Sequence, residues 1–235
     1  LFDPRRGQLT SVFASVSVVG RGRAGSAIAD RLAERGVAVV DDGELRLLCV
    51  PDGAISEVAA AIEPGRWVAH VSGATSLAAL APHTLRFSVH PLQTFRVGGG
   101  GEQLDGAFGA VTAESEDALA RALWLAETLG LRPFELADEA RPLYHAGAAI
   151  ASNYLVTLFR SAAALVTEAG APAEALVPLL ERTIANGFDL TGPIARGDMA
   201  TVTRHEEAIE HSEHPELGEM YRVLALLTKE QQAAR

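Results

Sequence analysis

The sequence is short of cysteine, lysine, positive charge and long apolar runs. One cysteine, Cys49, stands among 235 residues, so no internal disulfide can form and nothing points to an oxidising compartment. Set in the apolar run LRLLCV, it reads as a small buried hydrophobe rather than a nucleophile. Lys229 is the only lysine; every other basic side chain except histidine is arginine. The formal charge of -10 and the pI near 5.2 exclude a nucleic-acid partner, whose phosphates demand a basic surface. A cluster of arginines can still make a local anion site. No segment approaches the ~20 consecutive apolar residues of a membrane span. Arg5 and Arg6 before SVFASVSVV have the outline of a secretion leader. That run is short, broken by serines and leads straight into a glycine loop, so it reads as a strand, and a cytoplasmic location without membrane attachment is expected.

What is present is an ordinary globular composition, 48% hydrophobic and 21% charged, in a chain long enough for two cores. Strand candidates at 15–19, 45–50, 66–71, 85–89, 108–112 and 132–136 alternate with helical stretches at 25–35, 53–62, 75–81 and 115–129. This alternation predicts an α/β domain with a parallel sheet over residues 1–136. From about residue 138 the pattern is helical, which gives a second, all-α domain over 137–235. Its first helix, within ARPLYHAGAAIASNYLVTLFRSAAALVTEAG, is apolar nearly all the way round; it is expected to be buried on most faces and to pair with a second subunit, making a homodimer.

GRGRAG at 20–25 follows the first strand and opens the first helix. In such a loop Gly20 permits the tight turn, Gly22 lets a phosphate reach the backbone and Gly25 lets helix and strand pack closely. The helix start offers N–H groups to the anion, and Arg23 can add a charge-assisted contact. An acid for the adenosine ribose is expected about 20 residues further on, where Asp41 and Asp42 stand. Yet DDGE alone separates VAVV from LRLLCV, and a parallel crossover takes a dozen residues or more. VAVV is therefore expected to pair antiparallel with the next strand or to be irregular, with Asp42 and Gly43 as a hairpin turn. The loop then holds a phosphate beside an eroded adenosine wall.

CVPD, HVSGATSLAAL, SVHPLQTF, LYHAGAAIASNYLVTL and LTGPIARGD…TVTRHEEAI carry a resemblance over about residues 15–230. The chain resembles a family of Rossmann-like proteins with a helical C-terminal domain of unknown function. They are distant relatives of 6-phosphogluconate dehydrogenase, pyrroline-5-carboxylate reductase and ketopantoate reductase. The resemblance implies a shortened Rossmann-like parallel-sheet domain and an all-α C-terminal domain of the 6-phosphogluconate dehydrogenase type. It also implies dimerisation through the latter and an NADP or NAD cofactor. Longer members carry a further strand and helix before the VPD strand, and this chain lacks most of both. The relatives' catalytic lysine on the first helix of the second domain is also missing: that helix reads YHAGAAIASN, and Lys229 lies in the last helix.

Proton exchange then falls to histidine, whose ordinary pKa lies near neutrality. His145, His90 and, two helical turns beyond His145, Asn153 are the catalytic candidates, with Tyr144 beside them. His145 serves equally as a hydrogen-bonded core residue, and Asn153 as a helix-to-helix contact. His90 is expected to end its strand before Pro91, at the carboxyl edge where open α/β sheets bind ligands. Ser72 and Gly73, after His70, reach a similar edge for substrate or nicotinamide ribose, or are turn residues. Pro51 and Asp52 complete the expected cofactor contacts. Arg196 is the candidate clamp for a substrate carboxylate, or a structural ion pair, and Asp198 the N-cap of the helix that follows. His205, His211 and His214 match no zinc spacing and read as a solvated helix end, so no metal is expected. The composite expectation is an NAD(P)-dependent oxidoreductase for a small carboxylate-bearing metabolite. The competing expectation is a non-catalytic or regulatory ligand-binding dimer.

Overall fold

A computed structural model describes residues 12–233; Arg5 and Arg6, with the leader-like outline they suggest, lie outside the described residues. Contacts divide the chain into two compact units, 1–149 and 150–235. The composition boundary at 136/137 marks instead where the strands stop.

The first unit runs β1 (Ser15–Val19), α1 (Arg23–Glu34), β2 (Ala38–Val39), β3 (Leu45–Leu48), α2 (Ile55–Ala60), β4 (Trp67–His70), β5 (Arg86–Leu92), β6 (Phe108–Ala113), α3 (Glu116–Thr128), β7 (Arg132–Glu135) and α4 (Arg141–Ala149). Its seven-stranded sheet has the order β2-β1-β3-β4-β5-β6-β7. Every pair is parallel except β5–β6. Both faces are covered. Leu47 joins a core with Ile28, Leu32, Phe87 and Leu125, while its neighbour Leu48 packs with Ile55, Ala59, Val68 and Leu77. Alternate residues of one strand thus enter different cores, which is why β3 reads as a continuous apolar run.

Two strand expectations are corrected. VAVV is neither antiparallel to β3 nor irregular: β2 runs parallel to β1, and β3 lies parallel to β1 on its other side. The crossover rule assumes a strand long enough to need a full return. β2 has two residues and pairs Val39 with Val16, the same residue that pairs Leu45 at the start of β3. The chain needs to move sideways by only two strand spacings, about 10 Å, and the six residue steps between can span about 20 Å. Gly43 makes the crossing, because a Cβ there would lie 2.5 Å from the Ser17 nitrogen and 2.6 Å from the Val16 carbonyl carbon. Asp41 and Asp42 are crossing residues rather than a hairpin turn. In the second correction, His90 does not end its strand. β5 continues through Pro91 to Leu92 because β6 pairs with it along that length. Beyond the β4 pairing at Ser88, β5 has a neighbour on one side only, so an imide without an N–H is tolerated.

The second unit contains a π-helical turn (Ile150–Tyr154), α5 (Leu155–Glu168), α6 (Leu176–Ala185), α7 (Met199–Glu210) and α8 (Leu217–Ala233). Asp198 caps α7, accepting from the Thr201 N–H at 3.1 Å. The apolar helix expected to be buried is not buried within the chain. Its run Asp138–Glu168 has an 18-residue window of mean hydropathy 1.4 with none of that window buried, so by length and composition it meets the requirement for a membrane span. Ile150, Leu155 and Val156 face out on it, as do Leu179 on α6 and Leu226 on α8. Among the described residues of this unit the buried hydrophobics are Val202 and Ile209. A unit of this size with so small a core carries much of its apolar surface outward.

Candidate active site and glycine loop

Three segments after strands meet α4 at the carboxyl end of the sheet. The first is the segment after β3, where Pro51 and Asp52 start an exposed 3-10 turn. Asp52 is near enough to act electrostatically on His90 and Arg141. The second, after β4, carries His70, Ser72 and Gly73. Ser72 is spent on its own turn: its hydroxyl accepts from Ala74 and Thr75 N–H groups and donates to Thr75 Oγ1 at 2.9 Å. His70 Nδ1 accepts from Ser72 N–H at 3.2 Å, and the ring is fully buried. Desolvation, reinforced by the Arg141 cation, drives its pKa down to about 3. His70 is a neutral structural residue and has no access to a ligand.

The third segment is the end of β5. His90 Nδ1 shares a 2.8 Å hydrogen bond with the Tyr144 hydroxyl, and the ring stands edge-on to His145 with centroids 6.0 Å apart. Both imidazoles lean on Gly73. A Cβ there would lie 2.6 Å from His145 Nδ1 and 2.8 Å from His90 Nε2, so only glycine fits. His145 Nδ1 is buried without a hydrogen-bond partner. Burial, then the neighbouring His145 and Arg141, lower the His90 pKa to about 4. Burial raises that of Tyr144 to about 12, against the opposing pull of Arg141. At neutral pH the pair is a neutral imidazole against an intact phenol. It offers one shared proton and no net charge.

Arg141, unmarked by any motif, holds this arrangement together. It is 0% exposed. Its guanidinium donates to the Ser72 carbonyl at 2.8 Å, to the Gly73 carbonyl at 3.4 Å and to the Ser88 hydroxyl. Its Nε lies 3.2 Å from Asp138 Oδ1. Asp138 in turn accepts from the Ser76 hydroxyl and from Leu77 N–H at 3.0 Å. The sequence DEAR places Asp138 and Arg141 three positions apart, a spacing that suits their ion pair and says nothing of the distant partners.

The glycine loop shows the tight turn at Gly20 and the close packing at Gly25 expected of it. Gly20 has φ +97°, a conformation that side chains rarely adopt, and Gly25 sits so close that a Cβ would come 2.0 Å from the Gly20 carbonyl oxygen. Gly22 caps α1 without a side-chain hydrogen bond and has open space where its Cβ would be. The ribose acid is a different matter. β2 stops beside Val16, three residues or about 10 Å short of the end of β1. Asp42 is paired there with Arg46 and Arg66. The loop therefore fits a pyrophosphate, while no β2 acid reaches the ribose. Behind it, burial raises the Cys49 thiol pKa to about 12, which removes it from nucleophilic chemistry.

The remaining candidates lie in the second unit. Asn153, in the π-helical turn, is exposed and its carbonyl accepts from Thr157 Oγ1 at 3.4 Å. Arg196 is exposed in the loop before α7. His205 bonds the Tyr221 hydroxyl at 2.8 Å, and His211 bonds the Glu207 carbonyl at 2.7 Å.

A doubly covered, mostly parallel sheet with a glycine loop after its first strand defines a Rossmann-like fold, followed by helices. Solved structures share it. A candidate NADP oxidoreductase from Bacteroides fragilis superposes with a TM-score of 0.75 at 19% identity, covering 92% of this chain and 98% of that one. A Thermotoga maritima protein gives 0.71 at 23% identity, with 93% and 99% covered. An imine reductase from Streptomyces aurantiacus gives 0.65 at 15% identity, with 94% and 95% covered. No curated protein matches the sequence. Residues 107–228 match the family described as a domain of unknown function, DUF2520, and the chain belongs to that family.

Proposed function

We propose that the protein is an NAD(P)-dependent oxidoreductase acting on a small carboxylate-bearing metabolite. The observation that carries this reading is the His90–Tyr144 pair packed with His145 against Gly73, on a sheet whose first strand ends in a phosphate-type glycine loop. Gly20, Gly22, Gly25 and Arg23 would hold the pyrophosphate, and Pro51, Asp52 and Gly73 the side of the cofactor nearer the histidines. A bound nicotinamide supplies or accepts the hydride. The chain's own residues handle the proton. Tyr144, kept protonated, and His90, kept neutral, share one hydrogen between them, so the pair can present an N–H or a free ring nitrogen to a substrate oxygen without carrying charge. Arg141 is a positioning residue that fixes the Ser72–Gly73 backbone on which both rings rest. Arg196 and Asn153 remain proposed substrate contacts.

The apolar faces of α5, α6 and α8 support a homodimer. A bilayer is disfavoured for the run Asp138–Glu168, because Arg141 near its start is buried among the loops of the sheet domain. The single cysteine, which leaves no internal disulfide possible, supports a cytoplasmic protein. A ligand-binding dimer without catalysis has one observation in its favour, the end of β2 beside Val16. Calorimetric titration with NADPH and NADH separates the two: micromolar binding of either supports the oxidoreductase, and no binding at millimolar cofactor ends that reading.

A further inference from the structure

The segment after β5 does not run into solvent. It returns across α1. Leu104 is fully buried, and a Cβ on Gly101 would lie 2.9 Å from that of Arg31. Asp105 takes both Arg31 nitrogens at 2.7 and 3.0 Å. The two arms of the loop are tied as well, Arg96 N–H to Gln103 Oε1 at 2.9 Å and Gln103 Nε2 to the Gly100 carbonyl at 3.2 Å. What remains free is the tip, where Val97 is 86% exposed.

Between this tip and the start of α1 lies a cavity of about 320 Å³. Arg21, Gly22 and Arg23 line one side and Arg96 and Gly98 the other, with Asp30 also on its wall. Three guanidinium groups against one carboxylate make a local excess of positive charge in a chain of net charge -10. These arginines are also loosely engaged. Arg23 reaches the Phe95 carbonyl at 3.5 Å and Arg96 comes no nearer than 4.0 Å to Glu102. By contrast Arg31 and Arg86 hold carboxylates at 2.7 and 2.9 Å. A dinucleotide whose ribose carries a free 2′-hydroxyl is held by an acid at the end of β2, and one carrying a 2′-phosphate by arginine. Here Asp41 and Asp42, just past β2, stand at the wrong level and Asp42 is already paired, while arginines line the cavity at the glycine loop.

We propose that Arg21 and Arg96, with Arg23, form a 2′-phosphate site at the start of α1, so that the protein selects NADP(H) over NAD(H). The proposal rests on the cofactor reading above. A phosphate dianion matches the planar forks of arginine, each contact being charge-assisted.

The test is calorimetric binding of NADPH and NADH to the full chain at one fixed salt concentration, with Arg96→Ala and Arg21→Ala alongside. NADPH should bind at least about tenfold more tightly than NADH. Each substitution should narrow that ratio several-fold by weakening NADPH, at an unchanged melting temperature because both side chains are exposed. Equal affinity for the two nucleotides, or substitutions that leave the ratio intact, overturns the specificity while leaving the oxidoreductase reading in place. Failure of both nucleotides to bind overturns the two together.

Discussion

Replacing Gly73 by alanine adds one methyl group to the point where two imidazoles meet. That methyl would lie 2.6 Å from His145 Nδ1 and 2.8 Å from His90 Cε1 and Nε2, where ordinary contact begins at 3.4 Å. The rings must therefore withdraw by about 0.6–0.8 Å, the difference between those distances. The backbone cannot yield in their place easily, because Arg141 grips the carbonyls of Ser72 and Gly73 from the buried side. Overpacking of this kind costs about 1–3 kcal/mol, which lowers the melting temperature of a chain this long by about 2–12 °C. Under the proposed function, displacement of the two rings by this much also costs on the order of a hundredfold in turnover. Calorimetry gives the first quantity, and the imidazole signals in an NMR spectrum report on the rings before any substrate is identified. Gly53→Ala is the control, since nothing lies within 4 Å of its Cβ position. If Gly73→Ala melts where Gly53→Ala melts, with the His90 and His145 resonances unmoved, the packing argument is wrong.

His90 and His70 have folded-state pKa values of about 4 and 3 against an ordinary 6.5, so between those limits the unfolded chain binds more protons. Stability is therefore full above pH 6.5 and declines on acidification, each ring contributing at most about 1.4 kcal/mol per pH unit; urea unfolding at pH 7, 5.5 and 4.5 should show the loss, and a flat profile counts against neutral burial. Arg141→Met leaves Asp138 with only its Ser76 and Leu77 donors and the Ser72 carbonyl and Ser88 hydroxyl without this donor, and should cost about 1–3 kcal/mol by chemical denaturation; Arg141→Lys should recover only part of it, lacking the planar fork. Leu226→Glu or Leu155→Glu should shift sedimentation from twice the 24.7 kDa chain mass towards the monomer or abolish folding, and a monomeric wild type would refute the dimer. Cys49 should resist thiol reagents at pH 8 in the native protein and react fully in denaturant.

The glycine loop was legible because its glycines answer to mechanical demands that act within the loop and its neighbouring strand: a left-handed turn at Gly20, open approach at Gly22, contact at Gly25. His90 and Tyr144 were legible as chemistry and as neighbours of strand and helix ends, although the strand ran two residues further than Pro91 suggested. Arg141 was not, because its partners Ser88 and Ser72 stand 53 and 69 positions away and no local pattern announces them. The apolar run from 141 to 168 showed that something must cover it; periodicity alone does not say whether the cover is the same chain. β2 was misread for a geometric reason, since a rule about return length says nothing of a strand with almost no length to return.

That brief crossing makes the region between Val39 and Leu45 an unusually tolerant splice point. Both flanking residues already sit level with Val16, one on each side, so a longer excursion inserted between them would begin and finish where the sheet needs it. Grafting a helix and a full-length strand there, with Gly43 released from beneath the insert, would lengthen the β2 side of the sheet while leaving the histidine end of the first unit as it stands.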